Sequence, residues 1–250
     1  MEQKYTHANK AESYNLGRPK YPNAFFDYLY GEFGLSDKAV ILDAGAGTGK
    51  VAKEFLERGN TVYAVEPDKD MMIILRDTLY SYDNLIPIEK TAEKTGVSSN
   101  SIDFIFCGNS YMWFDRINVI PEFQRITRNN NNQNIIIARL GPKDDIYTEE
   151  LIEINNKYSI SKTIIEPNNT PPFTSSMLND KTFDFVYSQT LNEFLYGCLS
   201  ASFAPNPRDY LFDDYCKSLT NLFNKYNVDG KLSGNFSLYC IIGNVKNLVI

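Results

Sequence analysis

The stretch 40–50 constrains the fold of this chain more than any other. It reads VILDAGAGTGK: an apolar run ends in Asp43, glycines then alternate with small residues, and an amphipathic segment follows. This pattern is typical of a strand that enters a tight turn and opens a helix. Glycines permit positive φ and remove the Cβ atoms that would keep a ligand away from the backbone. The turn therefore predicts a site for a nucleotide-like cofactor at a helix N-terminus.

The spacing of the glycines limits which cofactor we expect. Dinucleotide-binding turns carry G-x-G-x-x-G, whereas single residues separate Gly45, Gly47 and Gly49, and Lys50 stands in place of the third glycine of that pattern. A phosphate-binding loop of the G-K-[ST] type is excluded because Val51 follows Lys50. An NAD-dependent oxidoreductase remains an alternative that this spacing disfavours.

An acidic residue ends the next predicted strand. The run 61–66 is rich in β-branched residues and finishes at Glu66, roughly twenty positions past the turn, where an acid can accept both ribose hydroxyls. A carboxylate takes two charge-assisted hydrogen bonds at once and disfavours a 2′-phosphate. The alternative interpretation of Glu66 is a solvated acid at a strand end.

Two further segments follow predicted strands. Ala92 and Glu93 come after the apolar segment 85–88, and the buried run 101–107 leads into Asn109 and then Trp113, the only tryptophan in the chain. Taken alone, Glu93 is interpreted as an acid in a surface loop. Because large aromatic side chains dominate packing, Trp113 is in part a core candidate. Its place after a strand keeps open a role as a wall for the substrate.

These segments together resemble the class I S-adenosylmethionine-dependent methyltransferases. The stretch 43–49 resembles their motif I, D-x-G-x-G-T-G; residues 92–93 resemble the A-E segment bordering adenine; and 108–115 resembles the strand-four tip before H-W-F-D. The opening 11–22, AESYNLGRPKYP, and the segment 199–205, LSASFAP, are similar to sequences of small-molecule methyltransferases related to trans-aconitate methyltransferase.

The resemblance implies S-adenosyl-L-methionine as cofactor and methyl transfer by in-line displacement to a small-molecule acceptor, with small carboxylates the first class to consider. It assigns the acceptor side to Tyr111, Met112 and Trp113, and it assigns no catalytic residue. The cofactor-binding residues that it implies are Tyr14, Arg18, Asp43, Ala44, Gly45, Ala46, Gly47, Thr48, Gly49, Glu66, Pro67, Met71, Ala92, Glu93 and Asn109.

One departure from the family pattern keeps a non-catalytic alternative open. Met112 stands where many members of the family that the chain resembles have histidine. If that histidine acts there as a base or substrate contact, this chain cannot use it. A cofactor-binding sensor or partner protein without turnover is therefore the second hypothesis. Only a product assay separates it from an enzyme.

Composition excludes several other classes. A net charge of −6 disfavours a broad phosphate-binding surface, so we expect no nucleic-acid partner. The single histidine and the four scattered cysteines support neither a metal site nor a disulfide framework. No apolar run is long enough for a bilayer, and the N-terminus lacks the apolar core of a signal peptide. We expect a cytoplasmic monomer or homodimer without a membrane partner.

The order of predicted elements indicates an α/β protein. Strands alternating with helices predict a Rossmann-like, doubly wound, mostly parallel sheet of seven strands with an antiparallel last strand. We expect a single methyltransferase domain over 1–250, with an N-terminal helical cap (1–36), a cofactor-binding core (37–140), a lid or substrate region containing one core strand (141–230) and a closing strand (231–250). We also predict a helix over 23–32, with Pro22 in the first helical position just before it.

Overall fold

The computed structural model describes residues 9–128, 134–160, 172–173 and 179–249. Its strands are β1 (Val40–Ala44), β2 (Thr61–Val65), β3 (Leu85–Ile88), β4 (Phe104–Gly108), β5 (Ile135–Pro142), β6 (Asn179–Gln189) and β7 (Leu232–Gly243). Within these residues the strands form one sheet in the order β3-β2-β1-β4-β5-β7-β6. The order places β1 and β4 side by side. From β1 the chain adds β2 and β3 on one side of the sheet, and it then returns to add β4 and β5 on the other side. In open α/β sheets, ligands bind where this change of side occurs.

Most of the sheet is parallel. Strand β1 pairs in parallel with β2 and β4, β2 with β3, and β4 with β5, whereas the last strands are antiparallel. The apolar runs in β1 and β4 are almost wholly buried, as expected for parallel strands covered on both faces. The predicted Rossmann-like, mostly parallel, seven-stranded fold is thereby confirmed.

The helices alternate with these strands and then dominate the second half of the chain. They are α1 (Lys10–Gly17), α2 (Asn23–Asp27), α3 (Lys50–Glu57), α4 (Lys69–Leu79), α5 (Arg116–Ile126), α6 (Thr148–Tyr158), α7 (Leu191–Leu199) and α8 (Phe212–Tyr226). Side-chain caps begin several of them. Asn9 and Thr190 form capping boxes, and Asp68 and Asp115 accept a backbone N–H in the first turns of α4 and α5. Among the described helices, none is both long and apolar enough to cross a membrane.

The predicted helix over 23–32 is divided. Helix α2 ends at Asp27, and Tyr28–Glu32 continue as a π-helical turn in which Phe33 N donates to Tyr28 O at 2.8 Å. Pro22 is the N-cap of α2, so its predicted place as the first helical residue is wrong. Leu29 is nevertheless buried with Phe25 and Phe26, as the apolar spacing predicts.

The chain divides into two compact units. The core unit comprises the described parts of 20–141, 166–183 and 237–250, and the helical unit those of 1–19, 142–165 and 184–236. The core unit buries two apolar clusters, one containing Phe25 and Phe106 and the other Ile105 and Phe123. The helical unit has its own cluster, from α6, α7 and α8. The four-part division expected from the sequence remains a prediction.

A close glycine contact in the helical unit gives a first prediction. A Cβ at Gly17 would lie 1.9 Å from Gly197 N, where α1 meets α7. Gly17→Ala is therefore expected to force the two helices apart and to lower the free energy of unfolding by about 1–3 kcal/mol, measured by urea denaturation. Gly31→Ala is the matched control because its Cβ would meet nothing within 4 Å. Equal stabilities of the two variants would contradict this packing.

Candidate cofactor site

The predicted glycine-rich turn lies between β1 and α3. Gly45, Gly47 and Gly49 have φ values of 71°, 57° and 81°, in the left-handed region, where glycine carries no steric cost. The N–H groups of Gly45 and Ala46 donate to Val65 O at 2.9 and 3.0 Å, which fixes the turn against the end of β2. The sequence therefore places the turn correctly and for the expected conformational reason.

Close packing is a second reason why two of these positions require glycine. A Cβ on Gly45 would lie 2.6 Å from Ser110 Cβ, and one on Gly49 would lie 2.7 Å from Leu79 Cδ1. Ser110 also donates its hydroxyl to Ala44 O at 2.6 Å and so joins the ends of β1 and β4. Sequence reasoning missed this role of Ser110, although the residue lies within the segment 108–115.

Glu66 lies directly against the glycine-rich turn. Its Oε2 accepts from Gly47 N at 2.8 Å and its Oε1 from Asp68 N at 2.9 Å, with 8% of the residue exposed. Burial raises the pKa of Glu66, and these two N–H groups oppose the rise. Each carboxylate oxygen can accept a further hydrogen bond. Glu66 thus both positions the turn and keeps acceptor capacity for a diol.

The residues that follow Glu66 form the start of α4. Pro67 is exposed, and Met71, half-buried, donates its backbone N–H to Asp68 Oδ1 at 2.9 Å. This contact is the N-terminal cap of the helix. The cap thereby fixes the backbone of Met71 in the first turn of α4.

Asp43, at the end of β1, is a second buried acid of this site. Burial raises the pKa of its carboxyl to about 7, the negative charge of Glu66 adds to the rise, and the Ala52 N–H in the first turn of α3 opposes it. Its Oδ2 is buried without a hydrogen-bond partner among the described residues, as is Thr48 Oγ1 in the turn. Unsatisfied buried polar atoms are rare in proteins, and both of these lie at the predicted cofactor position.

The A-E segment connects β3 to the start of α5. Ala92 is buried in a short 3-10 turn, Ala92–Lys94, and Glu93 Oε1 accepts from Asp115 N at 3.1 Å. The carboxylate of Glu93 thus holds the backbone of the α5 N-cap residue. This contact leaves its other oxygen for a ligand.

Asn109 has a structural task at the tip of β4. Its φ is +55°, and its amide bonds the backbone of Leu140 in both directions, Leu140 N to Oδ1 at 2.8 Å and Nδ2 to Leu140 O at 2.9 Å. The amide therefore extends the pairing of β4 with β5. The backbone N–H of Asn109 donates to Ala138 O at 2.9 Å. The predicted contact of Asn109 with the cofactor would therefore use its backbone carbonyl, the second N–H of its amide or the remaining lone pairs.

The residues predicted to contact the methyl acceptor differ in their accessibility. They form the 3-10 turn Tyr111–Trp113, in which Tyr111 is 4% exposed and Trp113 is 53% exposed, with Met112 between these extremes. Burial raises the pKa of Tyr111 to about 12, and the guanidinium of Arg116 lies 5.1 Å from the centre of its ring. Trp113 and Met112 are therefore available to a ligand, whereas Tyr111 is part of the core.

Tyr14 and Arg18 belong to the helical unit. The Arg18 guanidinium lies 5.5 Å from the Tyr14 ring, and its Nε donates to Ser200 Oγ at 2.9 Å. Ser200 is part of the 199–205 segment that the sequence singled out. The structure thus joins the two segments, 11–22 and 199–205, that carry the resemblance to the trans-aconitate methyltransferase group. In the described residues, no group of three or more histidine, cysteine or acidic side chains could hold a metal ion.

Comparison with known proteins finds a similarity in the middle of the chain. Residues 42–131 match a family model described as a methyltransferase domain. The matched segment includes the glycine-rich turn and Glu66.

Curated relatives extend the similarity only in part. The chain is 34% identical over 116 residues to an uncharacterized methyltransferase of Mycobacterium tuberculosis, covering 46% of this chain and 45% of that protein. It is 25% identical over 124 residues to one of Schizosaccharomyces pombe, covering 49% and 48%. The match thus spans about half the length of these relatives.

A solved structure shows the same fold over nearly the whole chain. It is a protein of Anaeromyxobacter dehalogenans, provisionally named a type II methyltransferase, with a TM-score of 0.63 and 17% identity over 91% of this chain and 98% of that one. At this identity the likeness concerns the fold alone. It agrees with the α/β fold described above.

The residues of this site fit the nucleoside part of S-adenosylmethionine. Glu66 keeps acceptor capacity for the ribose hydroxyls, and Asp43 and Thr48 each present a buried polar atom without a partner in the described structure. All three residues lie at the ends of β1 and β2 or in the turn between β1 and α3.

Proposed function

We propose that the chain is an S-adenosylmethionine-dependent methyltransferase that acts on a small-molecule acceptor, with small carboxylic acids the first class to test. The observation that supports this proposal best is the contact of Glu66 with Gly47 N. This contact brings the glycine-rich turn together with the acid that would bind the ribose hydroxyls.

Three elements of the site would hold the cofactor. The turn 45–49 would receive the part of the cofactor that needs close backbone approach, Glu66 the ribose hydroxyls, and Ala92 and Glu93 the adenine. When bound, S-adenosylmethionine supplies an electrophilic methyl group together with its own leaving group. The task of the chain is then to hold the acceptor in line, and such positioning contributes about 7–11 kcal/mol. A carboxylate acceptor would need no catalytic base.

The acceptor side of the proposal depends on the turn after β4. Trp113 has half of its surface exposed, and its indole face would give an apolar or planar acceptor a rigid wall. Met112, in place of the histidine of many relatives, offers no proton transfer. The net charge of −6 favours a small molecule over a nucleic acid as acceptor.

Calorimetric titration of the full chain with S-adenosylhomocysteine, with NADH as control, is the direct test. We expect micromolar binding of the first compound and none of the second; the opposite result would favour an oxidoreductase. A subsequent acceptor screen, with a labelled methyl group on the cofactor, separates an enzyme from a cofactor-binding protein. Binding without transfer to any acceptor class would favour the latter.

A further inference from the structure

The ammonium group of Lys10 lies in a cage of three backbone carbonyls. Lys10 is the first residue of α1, and its Nζ donates to Leu199 O at 2.8 Å, Ala201 O at 2.7 Å and Ala204 O at 2.8 Å. A lysine ammonium has three N–H donors, so each donor has one carbonyl. The hydrogen-bonding capacity of Lys10 is therefore used completely within the helical unit.

The carbonyl cage lies at the end of α7. Leu199 is the last residue of that helix, and Ala201 and Ala204 belong to the turns that follow. The last carbonyls of a helix lack intrahelical partners and carry the negative end of its dipole. For Leu199 O, the last carbonyl of α7, this favours a cation with N–H donors.

The surroundings of Lys10 keep it charged near neutral pH. Burial lowers the pKa of Lys10 to about 8, and the carboxylate of Asp209 in the same unit opposes this effect. A partly buried ammonium is expensive unless it is fully hydrogen-bonded. The three carbonyls meet that requirement.

We propose that the carbonyls of Leu199, Ala201 and Ala204 form a binding site for a primary ammonium group, and that Lys10 fills it as an internal ligand that docks α1 on α7. The site recognises three N–H donors and not charge alone. Because α1 carries Tyr14 and leads directly into Arg18, this docking fixes both residues within the helical unit.

The other end of α1 is held separately. Arg18 Nε donates to Ser200 Oγ, and Ser200 Oγ donates to Gly197 O at 2.7 Å. Removal of the Lys10 ammonium should therefore loosen the beginning of α1 without unfolding the unit. The effect should be local and visible by amide hydrogen exchange.

Chemical rescue of Lys10→Ala tests this proposal. The variant removes the side chain beyond Cβ, and n-propylammonium supplies the same three carbons and one nitrogen. In the full-length variant we expect amides of 10–17 to exchange about tenfold faster than in the wild type, since opening of α1 now costs less. Propylammonium at tens of millimolar should restore at least half of the lost protection at pH 7. Tetramethylammonium, which has the same charge and no N–H, should restore none.

Two further variants make the test specific. Lys10→Met keeps the volume of the side chain and should show fast exchange without rescue, because the methionine occupies the path to the carbonyls. Lys225→Ala removes an ammonium that pairs with Glu150 at 2.7 Å on the exposed surface of the same unit, and it should leave exchange of 10–17 unchanged. Unchanged exchange in Lys10→Ala, failure of propylammonium, or equal rescue by tetramethylammonium would overturn the proposal. The readout is independent of cofactor binding and of turnover.

Discussion

Glu66→Ala should weaken binding of S-adenosylhomocysteine about 10- to 150-fold. Hydrogen bonds to a charged group contribute about 1.5–3 kcal/mol, and the loss of the carboxylate removes the acceptor that we assign to the ribose hydroxyls. The same change frees Gly47 N, which now donates to Glu66 Oε2 at 2.8 Å, so the turn also loses a contact that orients it. The dissociation constant is measured calorimetrically on the full chain.

Glu89→Ala is the matched control for this prediction. Glu89 follows β3, the neighbour of β2 in the sheet, and pairs with Arg76 at 3.5 Å near the surface. An exposed pair of this kind contributes little, so affinity should stay within about twofold of the wild type. If Glu66→Ala binds as tightly as Glu89→Ala, Glu66 does not hold the cofactor. Urea denaturation of both variants shows whether a loss of affinity reflects the site or the fold.

The position of Glu66 could be predicted because it depends on short-range rules. A glycine turn after one strand and an acid at the end of the next meet at the same edge of a parallel sheet, so spacing alone brings Gly47 and Glu66 together. The burial of β1 and β4 follows in the same way from their apolar runs. For these elements the sequence contains both the pattern and its physical reason.

The tasks of Asn109, Arg18 and Glu93 could not be predicted from the sequence. Each depends on a partner distant in the chain: Leu140 for Asn109, Ser200 for Arg18, and Asp115 for Glu93. No local pattern specifies which polar groups meet across such separations. A motif can therefore mark such residues as candidates but does not show which of their atoms remain for a ligand.

The helix over 23–32 shows the same limit at the level of the backbone. Its apolar spacing correctly buries Phe25, Phe26 and Leu29. The change from α-helical to π-helical hydrogen bonding at Tyr28 leaves no comparable signal, because the same apolar residues face the core in either form. Core positions are thus better determined by sequence than hydrogen-bond register.

Asp43→Asn should stabilise the chain at pH 8 and flatten the dependence of its stability on pH. The pKa of Asp43 is raised from 3.8 to about 7 in the folded state, so the folded chain keeps a proton that the unfolded chain loses. The free energy of unfolding therefore falls as pH rises between these two values, and the penalty is complete above the higher one. At about 1.36 kcal/mol per pH unit, the penalty is roughly 4 kcal/mol.

The net gain should be smaller than this penalty. The amide oxygen of the introduced asparagine can still accept from Ala52 N, but the amide N–H₂ takes the place of Asp43 Oδ2, which has no partner among the described residues. An unsatisfied buried donor costs about 1–3 kcal/mol, which leaves about 2 kcal/mol of stabilisation at pH 8. For a chain of this size that corresponds to an increase in Tm of roughly 4–8 °C.

Thermal unfolding of wild type and Asp43→Asn at pH 4.5, 6 and 8 measures this difference. The advantage of the variant should grow with pH and be smallest at pH 4.5, where the folded wild type holds its proton. Asp77→Asn, on the exposed face of α4, removes the same charge from the surface and should leave the profile unchanged. A variant less stable than the wild type at pH 8, or a difference independent of pH, would show that Asp43 is satisfied as a carboxylate. In that case the charge of Glu66 and the burial of β1 would not raise its pKa, and the acid at the end of β1 would be ionised together with Glu66 before any cofactor binds.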